Sequence, residues 1–122
     1  MTVVPKRLFE SRPAQSTADG MQQGVGRRGG GSVTQVNVAG RAGIPANAAA
    51  AIVNITLINP SAQGFATAYP CGTKRPTAST VNYAAGQVIA NGATVKLGNG
   101  KICIYTHRST DLVLDVTGHL TG

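Results

Sequence analysis

Two stretches of strict alternation stand out between residues 50 and 72, separated by a short break. In the first, Ala51, Val53, Ile55 and Leu57 face one way, and Ile52, Asn54, Thr56 and Ile58 face the other. In the second, Phe65, Thr67 and Tyr69 alternate with Ala66 and Ala68. A period of two predicts strands whose faces meet different surroundings. The break at residues 59–64 carries Pro60 and Gly64, which impose backbone angles that stop a ladder. Strand, connection and strand together read as an antiparallel pair. The first run is apolar on both faces, which predicts a central strand covered on both sides.

The same pattern runs through the rest of the chain. Residues 1–12 read as an edge segment, with Val3, Val4, Leu8 and Phe9 as apolar anchors and Pro5 suited to an unpaired edge. Residues 13–32 are polar, Gly-rich and without period, which predicts a flexible loop or arm. Val33, Val36 and Val38 predict a strand ending at Gly40. Ala48, Ala49, Ala50 and Ala51 favour a helix by propensity, but the β-branched residues that follow favour a strand. Short strands are then predicted at 79–83, 87–90, 93–97, 101–106 and 111–117. Asn91-Gly92 and Asn99-Gly100 are the tight-turn signals among their separators. The sum is one all-β domain over residues 1–122, an antiparallel β-sandwich of jelly-roll or Ig-like type with about eight or nine short strands.

Composition narrows this picture. The chain has 122 residues, enough for one real core. Its aromatic residues are Phe9, Phe65, Tyr69, Tyr83 and Tyr105, so the core must be mostly aliphatic. No segment is long and apolar enough to span a bilayer as a helix. The first residues lack the apolar centre of an export signal, so the chain is expected to stay inside the cell, to leave it by lysis, or to be a piece of something larger. Eleven Lys and Arg against four acidic residues give a formal charge of +7. That charge favours acidic partners, although the cations are scattered and the tightest pairs are Lys6-Arg7, Arg27-Arg28 and Lys74-Arg75.

Candidate chemistry is sparse. Residues 24–29 match G-x-G-x-x-G, but no strand precedes them and no helix follows, so a mobile arm is the better reading. Arg27 and Arg28 on that arm, with Lys74 and Arg75 in the 70–80 loop, are the candidate partner-binding cations. Cys71 and Cys103 are compatible with a disulfide or with two free thiols. A disulfide would stabilise by roughly 3–4 kcal/mol in the chain-entropy model, given an oxidising destination. His107 and His119 have no second ligand nearby in sequence, so no metal site is expected. Asp111 and Asp115 share one face of the last strand, at a spacing that could flank a glycosidic bond. The preferred role for Asp115 is an ion pair with Arg7 or Arg12. Asn54 lies in a glycosylation sequon but inside a predicted central strand, so it reads as structural. No catalytic residue and no cofactor is expected.

Several ordered motifs carry a resemblance. They include Pro5-Lys6-Arg7-Leu8-Phe9, Gly43-Ile44-Pro45-Ala46, Ile52-Val53-Asn54-Ile55-Thr56 and Tyr69-Pro70-Cys71-Gly72. They continue with Arg75-Pro76-Thr77-Ala78-Ser79, Asn82-Tyr83-Ala84-Ala85-Gly86-Gln87 and Thr110-Asp111-Leu112-Val113-Leu114-Asp115-Val116. The chain resembles a β-rich module of actinobacterial cell-surface proteins and of virion proteins from phages that infect those bacteria. Glu10-Ser11 and His119 depart from that pattern, which usually has Asp-Thr and an aromatic there. The resemblance implies pairing of Cys71 with Cys103 and no catalytic residue. It implies a structural virion protein, such as a capsid decoration or minor capsid protein, binding the major capsid protein or other virion subunits, with a homo-oligomer such as a trimer expected. The alternative is a glycan- or cell-envelope-binding module of a cell-surface or tail protein, for which Tyr69, Tyr83 and Tyr105 are the plausible platform. Specific nucleic-acid binding and membrane insertion are not expected.

Overall fold

In a computed structural model, residues 2–121 are described, with side chains from Val4 onward. Eight strands make up the regular structure: β1 (Thr2–Glu10), β2 (Ser32–Asn37), β3 (Ala48–Ile58), β4 (Gly64–Pro70), β5 (Val81–Tyr83), β6 (Val88–Lys96), β7 (Lys101–Thr106) and β8 (Asp111–Thr121). They form two four-stranded sheets, with orders β1-β8-β3-β6 and β2-β7-β4-β5. All ladders are antiparallel.

The pairing is nested. β1 lies against β8, β2 against β7, β3 against β6 and β4 against β5. The chain is thus one long antiparallel ribbon whose tip is the β4–β5 connection. Folding the ribbon over itself adds the β3·β8 and β4·β7 ladders and closes two sheets face to face. This is the jelly-roll arrangement of an eight-stranded double sheet, and it decides between the two sandwich types expected. An Ig-like sandwich would place seven strands in a different order.

The alternation predicted for β3 supplies the core. Ala51, Val53, Ile55 and Leu57 are buried, facing Ile102, Ile104, Val36 and Ala66 of the other sheet. Leu112, Leu114 and Val116 of β8 and Leu8 and Phe9 of β1 complete this interior. Each large aliphatic side chain buried here contributes about 1.5–3 kcal/mol. The four alanines at the start of β3 join the strand, because Ala50 and Ala51 already pair with β6 and β8. Burial against two neighbours outweighs their helix propensity.

Several expectations are corrected. β3 and β4 are not partners: they lie in different sheets. The connection between them carries the chain across the sandwich, with Asn59 at φ 54°. Its Asn59 and Ser61 amides donate to Gln87 O and Ser109 O in other connections rather than closing a hairpin. β3 is central, but only one face is fully covered, and Ile52, Asn54, Thr56 and Ile58 stay partly exposed. Asn91-Gly92 is no turn. Both residues sit within β6, opposite Ile55 and Asn54. The continuous pairing along β3 overrides the local turn preference, and the two strands expected at 87–90 and 93–97 are one. The Asn91 amide donates to Thr80 O and links the sheets. Val4 is 77% exposed and anchors nothing, and the side chain of Val3 lies outside the described residues.

The segment 13–32, expected as a free arm, lies along the body as a strap. Its backbone bonds to β1 through Glu10 N to Gln22 O and Ala18 N to Arg7 O, and to the start of β8 through Arg28 and Thr110. The polar composition conceals this, because the strap is held by backbone and side-chain hydrogen bonds rather than by buried apolar side chains.

Asn99-Gly100 does form a tight turn, with φ 54° and 77° and reciprocal bonds between Gly98 and Lys101. Gly98 also packs directly on the backbone of Cys71. A Cβ there would stand 2.7 Å from Cys71 N and C. Replacing Gly98 by Ala is therefore expected to destabilise the fold by about 3 kcal/mol or more, read from urea unfolding. An unchanged midpoint would show that this contact does not constrain the hairpin.

Candidate functional site

The four carboxylates of the chain are all committed to arginines. Glu10 is fully buried at the end of β1, between Arg7 (3.2 Å) and Arg12 (2.9 Å). Arg12 also donates its backbone amide to Glu10, so this carboxylate accepts from two guanidinium groups and one amide. Asp115 pairs with Arg7 at 2.9 Å. Of the two partners expected for Asp115, Arg7 is the one it meets, and Arg12 turns to Glu10. Asp111 pairs with Arg27 and accepts from Ser11 Oγ. Asp19 forms a fork with the buried Arg41, which also holds Asn37 O and Met21 O. Asp111 and Asp115 are thus both occupied by arginines and do not frame an open site.

The acidity of two carboxylates follows from these contacts. Burial pushes the Glu10 carboxyl up, but its bonds from Arg12 and the nearby Arg7 charge outweigh this and hold it below its usual range. The Arg41 guanidinium holds Asp19 well below the usual carboxylate range. A depressed folded-state pKa adds stability above the unfolded-state pKa, and that stability is lost as pH falls through the folded one. Unfolding free energy is thus expected to be flat above about pH 5 and to fall below about pH 4. A Glu10→Gln, Asp19→Asn double variant should show a shallower acid limb in urea titrations across pH. An identical limb would mean that these pairs do not set acid stability.

Seven cations remain without a carboxylate partner among the described residues: Lys6, Arg28, Lys74, Arg75, Lys96, Lys101 and Arg108. Arg27 and Arg28, expected as mobile contacts, are placed otherwise. Arg27 donates to Ser109, Asp111 and Asn59 O, and Arg28 bonds the strap backbone with its guanidinium 5.6 Å from the Phe9 ring. Lys74 and Arg75 do stand exposed, in the connection at the tip of the ribbon.

That connection is held on the outer face of the β2-β7-β4-β5 sheet. Cys71, just past β4, is disulfide-bonded to Cys103 of the adjacent β7, with Cα atoms 4.9 Å apart. Arg75 lies over the Tyr105 ring at 3.6 Å, worth about 0.5–1 kcal/mol at an exposed site. Thr67 Oγ1 donates to Ala78 O, so the returning half of the loop is fixed as well. Replacing both cysteines by Ser should lower stability by about 3–4 kcal/mol. Urea unfolding measures this, and no loss would mean the ladder alone fixes the loop.

A row of rings continues from Tyr105 across this face. Phe65 lies 5.7 Å from Tyr105 and stacks on His107 at 4.9 Å with an interplanar angle of 25°. At the Gly64 end of the row is an open cleft of about 400 Å³, lined by Gln63, Gly64, Phe65, Asn82, Tyr83 and His107. Gly64 permits the floor: a Cβ there would stand 3.0 Å from Tyr83 Cε1 and Arg108 Cγ. The Tyr83 hydroxyl donates to Arg108 O and accepts from Arg108 N. His107 Nδ1 is buried without a hydrogen-bond partner, at a cost of about 1–3 kcal/mol.

Sequence reasoning missed this cleft. Its residues come from three separate strand ends, and the only shared signal was the outward phase of Phe65. Of the tyrosines expected as a sugar platform, Tyr69 and Tyr83 are buried and Tyr105 is capped by Arg75. Among the described residues, no group of three or more His, Cys, Asp or Glu is gathered as for a metal ion. Among the described residues, no helix is long and apolar enough to cross a membrane.

Fold and surface together define an eight-stranded jelly-roll domain with a cation-bearing, ring-lined outer face. Comparison with known protein families, curated proteins and solved structures gives no match.

Proposed function

We propose that this chain is a non-enzymatic structural virion protein of an actinobacteriophage, a capsid decoration or minor capsid protein that adheres to the head lattice. The observation that carries the reading is the allocation of charge. Every carboxylate is tied to an arginine within the domain, so the +7 excess is displayed outward with nothing of opposite sign beside it. Four of the seven unmatched cations, Lys74, Arg75, Lys101 and Arg108, belong to the β4–β5 connection, β7 or the turn after β7. Such a surface attracts acidic lattices and is screened by salt. The disulfide and the Arg75–Tyr105 contact hold Lys74 and Arg75 in place before binding, which lowers the ordering cost of an interface. Jelly rolls serve in capsids and in lectins alike, so the fold alone favours neither. The virion assignment itself rests on the sequence resemblance.

Co-sedimentation with purified actinobacteriophage capsids tests the reading. Binding is expected to weaken steeply with salt, and a Lys74→Glu, Arg75→Glu double variant should bind about 100-fold less tightly. Undiminished binding by that variant would place the contact elsewhere, and no binding by the unaltered protein would remove the capsid reading.

A further inference from the structure

We infer that the cleft beside Phe65 and His107 is a saccharide subsite that takes one pyranose ring of a neutral glycan. The cleft shares the outer face with the 71–80 connection, and the Tyr105 ring lies between Arg75 and Phe65. β4 runs from the cleft at Gly64 to the disulfide end at Pro70, and seven strand residues span about 20 Å. The cleft therefore lies at the opposite end of the strand from Cys71.

Three observations point to a sugar. First, the cleft is walled by a stacked ring pair, Phe65 and His107, and neither ring belongs to the main hydrophobic core. A face of such a ring that is turned away from its partner takes the C–H face of a pyranose. Second, two side-chain amides line the same space. Asn82 sits opposite Phe65 in the β4·β5 ladder, and Gln63 directly precedes β4. Both are exposed and make no side-chain hydrogen bond among the described residues. Their amides are not held by the domain, in contrast to Gln22, Gln87 and Asn91, which bond Gln35 O and Asn37 N, Ala84 N and Thr80 O. A free planar amide offers both a donor and an acceptor, which suits neighbouring sugar hydroxyls. Third, the lining holds no carboxylate, lysine or arginine, and Arg108 borders its floor through the Cγ of its stem, so no charged group of the lining calls for a charged ring. The volume of about 400 Å³ lies at the lower end of ligand clefts, and the open form suits one unit of a chain rather than an enclosed small molecule.

Amide NMR titration with four neutral oligosaccharides tests the site: maltohexaose, cellohexaose, mannohexaose and N-acetylchitohexaose. Oligothymidylate and hexagalacturonate serve as charged comparisons. At least one neutral sugar is expected to shift residues 63–65, 82, 83 and 107, with an affinity unchanged by salt. Asn82→Ala and Phe65→Ala should each weaken it by about ten-fold. The Lys74→Glu, Arg75→Glu variant should bind sugar normally, and Phe65→Ala should still bind capsids, so the two readings fail separately. Asn82 and Gln63 are exposed, so their alanine variants keep the test valid if Phe65→Ala misfolds. No shift at these residues with any of the four sugars overturns the inference. So does binding confined to the charged oligomers, or undiminished sugar binding by Asn82→Ala and Gln63→Ala together.

Discussion

Every surface of this molecule is placed by one pairing constraint: β1 to β4 lie against β8 to β5 in reverse order. An antiparallel ribbon of this kind has a single tip, and here the tip is the β4–β5 connection. Folding the ribbon over buries the inward phase of β3, β7 and β8 on both sides of one core. The same folding brings Cys71 beside Cys103, because β4 and β7 become neighbours only after the second bend. The disulfide therefore locks the closure step rather than the local hairpin. Gly98 makes that closure possible by leaving room for the Cys71 backbone.

Electrostatics completes what the ribbon begins. Glu10 is buried at the end of an edge strand and is tolerable there only because Arg7, Arg12 and a backbone amide converge on it. Removing one partner would leave a buried charge uncompensated. The strap is tied down by the same kind of contact, through Asp19 with Arg41 and Asp111 with Arg27. The few acids of this basic chain thus act as internal fasteners. The outward charge follows from that use and needs no separate explanation.

Much of the architecture was legible in the residues. Alternation located β3, β4, β7 and β8, Asn99-Gly100 marked a real turn, and the β-branched residues after Ala51 outweighed the alanine run. Alternation reports which face a residue takes and is silent about which strand lies alongside, so β3 and β4 read as partners although the chain crosses the sandwich between them. Asn91-Gly92 misled for a related reason, since a nine-residue ladder with β3 overcame a two-residue preference. The strap was hidden because its anchors are polar and distant in sequence. The cleft was hidden because Phe65 and His107 are forty-two positions apart and meet only through the β4·β7 pairing.

The resulting picture is a stiff module with two ends of different character. One end carries Lys74 and Arg75 on a disulfide-tied loop, and the other carries rings and amides beside Arg108. Electron cryomicroscopy of particles bearing the bound protein tests this arrangement most directly. The account predicts density with the 71–80 connection, on the outer face of the β2-β7-β4-β5 sheet, against the capsid. Density with the strap or the β1-β8-β3-β6 sheet against the capsid, and the 71–80 connection facing solvent, would contradict it.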